Sequence, residues 1–183
     1  MENKKLLEEI RSYWNNRADG YSRVNQEELH SEQKEKWKEV LLEQLPKKEK
    51  DQVQILDIGT GPGFFAILLA EEGYQVTAVD YTEQMLQEAK SNAADLADQI
   101  SFKRMDAQNL EFPKETFDYI VTRNVTWNLE HPKRAYREWQ RVLKPGGKIL
   151  NFDANWYAYL YDDKLKLGYE TLRGWRTLQS KFR

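Results

Sequence analysis

Alternating glycines preceded by an aspartate are the residues of this sequence best suited to bind a polar ligand. The glycines are Gly59, Gly61 and Gly63, and Asp57 lies two residues before the first of them. Glycine adopts positive φ without strain and lets a backbone approach a ligand closely. The apolar run that begins at Phe64 predicts a helix, whose first N–H groups add hydrogen-bond donors and partial positive charge. We therefore expect the backbone of this turn to bind a polar group of a ligand.

Three more polar residues, Asp80, Asp106 and Asn124, each end a segment that reads as a strand. In an open α/β sheet, ligands bind outside the carboxyl ends of the strands, so these side chains are expected at one edge. An acid about 20 residues beyond a glycine turn is suited to accept hydrogen bonds from both ribose hydroxyls. Asp80 fits that description.

Five segments predict the strands that place these groups, and helical periodicity alternates with them. The predicted strands are residues 53–58, 74–80, 100–106, 117–124 and 148–153. Helices are predicted to begin at Phe64, after the cap residue Thr82, and at Pro132. This alternation predicts an α/β fold of the Rossmann-like type, a doubly wound and mostly parallel sheet with helices on both faces.

Helical segments flank the predicted sheet on both sides. Leu6, Ile10 and Trp14 recur at helical spacing and predict a helix over residues 3–17. A second amphipathic helix, which ends near Pro46, is marked by Trp37, Val40, Leu41 and Leu45. The polar stretch 17–25 between them predicts a loop or broken helix. We expect one domain, with a helical cap at 1–50, a core at 51–155 and a C-terminal helix at 156–183.

The spacing of the glycines distinguishes two cofactor classes. A dinucleotide-binding turn reads G-x-G-x-x-G, whereas Asp57 to Gly63 reads D-x-G-x-G-x-G. This turn resembles motif I of the class I S-adenosylmethionine (SAM)-dependent methyltransferases at all four positions. Asp80, the pair Asp106-Ala107 and the R-V-L-K-P-G-G string at 141–147 extend the resemblance over about residues 53–153.

The resemblance implies SAM as cofactor and S-adenosylhomocysteine as product. Asp57 would meet the ammonium of the methionine part, Asp80 the ribose, and Asp106 the adenine amino group, with Met85 against the adenine face. The residues implied to bind the cofactor are Asp57, Gly59, Thr60, Gly61, Gly63, Asp80, Tyr81, Met85, Asp106, Ala107, Asn124 and Val125.

The segment 13–21 is similar to the N-terminal opening of such enzymes, which folds over the cofactor and forms part of a substrate lid. The residues assigned to the lid and substrate side are Tyr13, Trp14, Arg17, Tyr21, Trp127 and Asn128. The ring of Trp127 could contact an aromatic or cationic methyl acceptor. His131 is a weak candidate for a general base, and its place beside Pro132 at a helix start also suits a surface residue. Asn124 lacks the following P-P-[YFW] of enzymes that methylate nucleobases or glutamine.

Composition limits the alternatives. The 183 residues carry a net charge of −2, which gives no general attraction to nucleic acid or to an anionic membrane. There is no cysteine, and the two histidines have no metal-ligand spacing. No apolar run approaches the roughly 20 residues of a membrane span, and the N-terminus has no secretory core. We expect a cytoplasmic protein with a small-molecule partner and no metal.

The sequence thus predicts a SAM-dependent methyltransferase that acts on an O, N or C nucleophile of a small molecule. A NAD-dependent oxidoreductase is the less favoured alternative. A non-catalytic or truncated SAM-binding protein also stays open, because five strands are predicted where the family usually has seven. If strands six and seven are lacking, the fifth strand leaves an unpaired edge, which favours a homodimer.

Overall fold

Five parallel strands form one sheet in the computed structural model, which describes residues 2–47 and 49–154. The spatial order is β3-β2-β1-β4-β5. The strands are β1 (Gln54–Ile58), β2 (Gln75–Asp80), β3 (Ile100–Arg104), β4 (Phe117–Arg123) and β5 (Leu143–Phe152). The chain order reverses at β1, between β2 and β4, and such a switch point opens a crevice at the carboxyl ends of the strands.

Six α-helices accompany the sheet in the described residues, and the Rossmann-like prediction is confirmed. They are α1 (Glu2–Asn15), α2 (Ala18–Leu29), α3 (Glu32–Leu42), α4 (Phe64–Glu71), α5 (Glu83–Ala93) and α6 (Pro132–Val142). None of these helices has the length and apolarity needed to cross a bilayer.

The core lies on both faces of the sheet because successive strand residues point to opposite sides. On one face Ile55 and Val121 pack with the apolar α4 and with Leu41 of α3. On the other, Leu56 and Ile120 pack against Trp139, Val142 and Ala135 of α6. Both layers hold the strand ends in register beneath the crevice.

A turn at residues 16–17 separates α1 from α2, but from Ala18 onward the prediction of a loop or broken helix over residues 17–25 is wrong, because α2 is continuous there. Its buried residues are Ala18, Ser22 and Asn25, which are spaced at i, i+4 and i+7 and therefore share one helical face. This face is small or polar, so an apolar pattern could not reveal it. Gly20 is tolerated on the exposed side, where a Cβ would have no heavy atom within 4 Å.

The last strand also begins earlier than predicted. β5 starts at Leu143, immediately after α6, and Leu143 pairs with Phe117 across an irregularity in the register. Residues 144–147 of this strand have no register partner on β4, Gly146 among them has a φ of +80°, and regular pairing resumes at Lys148 opposite Tyr119, where the strand was predicted to begin. The outer edge of β5 has no strand partner among the described residues. The helix predicted over 156–183 lies outside those residues.

Candidate functional site

A cleft lies over the carboxyl ends of β1, β2 and β4, covered by α1 and the start of α2. It holds about 760 Å³ of space, solvent at its mouth included. The predicted site residues that line it are Trp14, Tyr21, Gly59, Gly61, Asp80, Tyr81, Met85, Asp106, Ala107, Asn124, Val125 and Asn128.

The glycine turn forms the floor of this cleft. A Cβ at Gly61, whose φ is +53°, would lie 3.7 Å from Cε1 of Tyr21 and would occupy space between the turn and the covering helix. Gly59 serves a different purpose, since its Cβ would stand 2.4 Å from Cγ2 of Val125. Glycine at 59 therefore permits close packing, and glycine at 61 keeps the cleft open.

Asp80 is fixed at the end of β2 by two backbone donors. Its Oδ2 accepts from the N–H of Gly61 at 3.0 Å and its Oδ1 from the N–H of Thr82 at 2.8 Å. Burial raises the pKa of Asp80, and these hydrogen bonds oppose that rise. A carboxylate has about four lone-pair sites, so Asp80 can still accept from a ligand in the cleft. Thr82 precedes α5 as predicted, but its side chain makes no cap hydrogen bond.

Asp57 lies beneath the turn and lines a second, smaller cavity. Its side chain is buried, and its Oδ2 accepts from Oγ1 of Thr60 at 2.7 Å. Burial raises the pKa of Asp57 to about 7, against hydrogen bonds from Thr60 and Ala66, and the nearby Asp80 adds to the rise. Thr60 lines this cavity too. Gly63 is the N-cap residue of α4, and a Cβ there would press against Ala89 of α5.

The far end of the cleft is organised around Gln108, which sequence reasoning missed. Oδ1 of Asp106 accepts from the backbone N–H of Gln108 at 2.8 Å, and Oε1 of Gln108 accepts from the N–H of His131 at 2.6 Å. The indole N–H of the buried Trp139 donates to the carbonyl of Ala107 at 2.8 Å. These bonds fix the 106–108 backbone against the cleft.

Aromatic rings cover the opposite end. The ring of Trp14 meets Tyr13, Tyr21 and Trp127 edge-on, with centroids 5.2, 5.6 and 6.1 Å away. Only Trp14 and Tyr21 of these four line the cleft. Tyr13 is exposed and accepts at its hydroxyl from Nη1 of Arg17 at 2.7 Å. Trp127 supports Trp14 from outside the cleft wall.

Two polar contacts join the covering helices to the strand ends. The hydroxyl of Tyr81 donates to Oε1 of Glu8 on α1 at 3.0 Å. Arg123, at the end of β4, donates to both carboxylate oxygens of Glu28 on α2, at 2.7 and 3.0 Å. The Arg123 guanidinium also lies 4.7 Å from the ring centroid of Trp37.

His131 is placed at the N-cap of α6 and does not line the cleft. Its Nε2 lies 3.8 Å from Oε1 of Glu130, and its side chain is about half exposed. The described residues contain no group of three or more acids, histidines or cysteines that could hold a metal ion.

Several residues of the cleft wall were not predicted. They are Leu7, Ile10, Met105, Gln108, Arg123 and Leu129. Helical periodicity could have found Leu7 and Ile10, since Leu7, Ile10 and Trp14 are spaced at i, i+3 and i+7. Leu6, which seemed equally suitable, is 44% exposed. Gln108 and Arg123 carry no local signal, because their roles depend on partners distant in sequence.

Comparison with known proteins agrees with this geometry. Residues 56–151 match the family described as "Methyltransferase domain". A ubiquinone/menaquinone biosynthesis C-methyltransferase of Rickettsia bellii is 30% identical over 149 residues, covering 77% of this chain and 58% of that protein. A ubiquinone biosynthesis O-methyltransferase of Coxiella burnetii is 31% identical over 109 residues, covering 58% of this chain and 47% of that protein.

Solved structures show the same likeness. A Methanococcus maripaludis protein provisionally assigned as a SAM-dependent methyltransferase superposes with a TM-score of 0.66 at 26% identity. The match covers 76% of this chain and 64% of that one. The chain thus spans about half the length of the two curated relatives named above.

Proposed function

Because the chain belongs to the class I SAM-dependent methyltransferases, we propose that it transfers a methyl group from SAM to a small-molecule acceptor. SAM, when bound, supplies a methyl group on a sulfonium and leaves as S-adenosylhomocysteine. The observation that carries the proposal is the fixed Asp80 carboxylate beside the open floor at Gly61. The carboxylate can accept hydrogen bonds from a ribose. The backbone beside it at Gly61 is open to the ligand, whereas any side chain at position 61 would occupy that space.

The donors and acceptors along the cleft fit the parts of this cofactor in order. Asp80 can accept from ribose hydroxyls, and Met85 offers an apolar contact beside it. Asp106 and the fixed backbone of Ala107 lie further along the wall, suited to an adenine edge. Asp57 lies at the other end, beneath the turn, where a buried carboxylate suits a cation.

The acceptor side of the cleft is apolar and aromatic. Trp14, Tyr21 and Leu129 line it, with the amide of Asn128 as a polar group. Arg123 is the one cationic side chain among the described wall residues, and Glu28 already binds both ends of its guanidinium. These contacts support a neutral acceptor with an apolar or aromatic body, which the two aromatic rings would contact face-on or edge-on.

The names of the relatives support a small-molecule acceptor and leave the attacking atom open. One is named as a C-methyltransferase and the other as an O-methyltransferase of quinone biosynthesis. Methyl transfer needs alignment of the nucleophile with the methyl group. In this chain Trp14 and Tyr21 would supply that alignment, and we assign no residue as a general base. The cytoplasmic location and the homodimer stay predictions.

Calorimetric titration with SAM, S-adenosylhomocysteine and NAD tests the proposal directly. We expect micromolar binding of the first two and none of NAD. Turnover is then followed by mass spectrometry with a panel of phenolic, amine and quinone-like acceptors. Binding of NAD alone would contradict the proposed function. Binding of SAM with no methylation of any acceptor would favour the non-catalytic alternative.

A further inference from the structure

We propose that Asn25 of α2 binds the ammonium group at the amino-acid end of the cofactor, an assignment that rests on the proposed function. Asn25 is 6% exposed, and within the described structure its Oδ1 is buried without a hydrogen-bond partner. An acceptor that loses water without gaining a donor is costly, and such atoms are rare in folded proteins. A ligand that supplies the donor explains it.

The position of Asn25 identifies the part of the ligand. Asn25 lines the smaller cavity together with Asp57, Thr60 and Gly61. That cavity shares Gly61 and Tyr21 with the main cleft, so one ligand can extend from one into the other. The ribose position at Asp80 lies on the main-cleft side of the turn. The end of the cofactor that reaches the smaller cavity is therefore its amino-acid end.

The charges around the cavity select the ammonium from the two groups at that end. The Asn25 oxygen and the charged form of Asp57 can only accept hydrogen bonds, so both suit an ammonium group better than a carboxylate. Arg123 also lines the cavity but is bound by Glu28. Burial raises the pKa of Asp57, and a neighbouring cation would favour its charged form. A cationic N–H donor satisfies both acceptors at once.

The polar residues on either side of Asn25 on α2 have hydrogen-bond partners, unlike the Asn25 oxygen. Ser22, on the same buried face, accepts from Nδ2 of Asn92 at 3.0 Å. Gln26 donates to Oδ1 of Asn92 at 2.7 Å, and Nδ2 of Asn92 donates to the carbonyl of Pro62 at 3.0 Å. α2 is thus anchored to the glycine turn on both sides of Asn25. The helix that carries Asn25 is held in place before a ligand arrives, which lowers the entropic cost of binding.

The test uses the full chain and adenosine ligands with different amino-acid ends, and takes for each ligand the ratio of variant to wild-type affinity, so that the extra sulfonium methyl of decarboxylated SAM cancels. S-adenosylhomocysteine carries ammonium and carboxylate, 5′-methylthioadenosine carries neither, and decarboxylated SAM keeps the ammonium alone. We expect Asn25→Leu to weaken S-adenosylhomocysteine and decarboxylated SAM by about 10-fold or more, as for loss of a charge-assisted hydrogen bond. Binding of 5′-methylthioadenosine should not change. Asn16→Leu, at an exposed position, is the matched control.

The thermal midpoint without ligand supplies a second readout. Leucine removes an unpaired buried acceptor and has the same number and branching of heavy atoms, so the ligand-free midpoint of Asn25→Leu should be close to or above that of the wild type. Asn25→Asp keeps the shape and the acceptor, and should retain most of the S-adenosylhomocysteine affinity. If Asn25→Leu does not fold, the affinities of Asn25→Asp for the three ligands are compared with those of the wild type instead.

Each other outcome overturns the assignment in a distinct way. Equal weakening of all three ligands would indicate a structural role for Asn25. Weakening of S-adenosylhomocysteine but not of decarboxylated SAM would assign the contact to the carboxylate. Unchanged binding of all three, with wild-type binding intact, would remove Asn25 from the site and leave the proposed function standing. A wild-type protein that binds none of them refutes both.

Discussion

The backbone N–H of Gly61 donates to Oδ2 of Asp80, 19 residues later, across 3.0 Å. This bond joins the turn after β1 to the end of β2, so the two parts of the floor cannot shift independently. Since Thr82 supplies the second donor, the carboxylate is oriented by backbone N–H groups. The Thr82 side chain adds a further hydrogen bond, so substitutions of the other nearby side chains should leave the direction of the carboxylate unchanged.

Asp80→Ala is expected to weaken binding of S-adenosylhomocysteine by about 10- to 150-fold, because one charge-assisted hydrogen bond is worth roughly 1.5–3 kcal/mol. Calorimetry measures the loss. Asp98→Ala, at an exposed acid beyond α5, is the control and should bind normally. Unchanged affinity of the Asp80 variant would remove the ribose assignment.

Gly61→Ala should abolish ligand binding for a steric reason that can be separated from strain. At φ +53° any side chain at 61 is strained, by roughly 1–2 kcal/mol, and its Cβ would also enter the cleft. Gly73→Ala is the matched control, since φ there is +88° and no heavy atom lies within 4 Å of its Cβ position. Both variants should lose similar stability in urea unfolding, and only the first should lose binding. If both variants bind the ligand equally well, the ligand does not contact the backbone at Gly61.

The stability of the free protein should fall as pH rises, through Asp57. Its folded pKa is raised from 3.8 to about 7, so between these values the folded state binds more protons than the unfolded state. The free energy of unfolding then decreases with pH over this window. Asp57→Asn, which can still accept from Thr60, should show a flatter dependence between about pH 4 and 7 than the wild type. Parallel curves for the two proteins would show that Asp57 is ionised throughout.

Deletion of residues 1–16 should weaken cofactor binding without unfolding the core. It removes Leu7, Ile10 and Trp14 from the cleft wall but leaves α2, with its contacts to Asn92 and Arg123. The expected result is a cooperative thermal transition together with a several-fold loss of S-adenosylhomocysteine affinity. Asn15→Ala, which alters an exposed side chain at the end of the same helix, controls for surface effects. If the shortened protein shows no cooperative thermal transition, α1 is required for the folding of the core.

The sheet and its ligand edge could be predicted because their signals are local. Each strand is marked by its own short apolar segment, and the glycine turn requires its own backbone conformation. Asn25 and Gln108 could not be found in this way. Asn25 belongs to a helical face of small and polar residues, which resembles a loop in sequence. Gln108 matters through Asp106 and His131, and the second of these is 23 residues away.

The unequal attachment of α1 and α2 bears on how the product leaves. α2 is tied to the turn through Asn92 and to β4 through the Arg123–Glu28 pair. Among the hydrogen bonds described above, α1 is tied to a strand end by the Tyr81–Glu8 bond alone, with aromatic edges around Trp14. Outward displacement of α1 breaks fewer polar contacts than displacement of α2. Under the proposed function, α1 is therefore the expected exit side of the cleft, and breaking its single bond with Glu8→Ala should change the turnover rate more than breaking the α2 bond with Glu28→Ala.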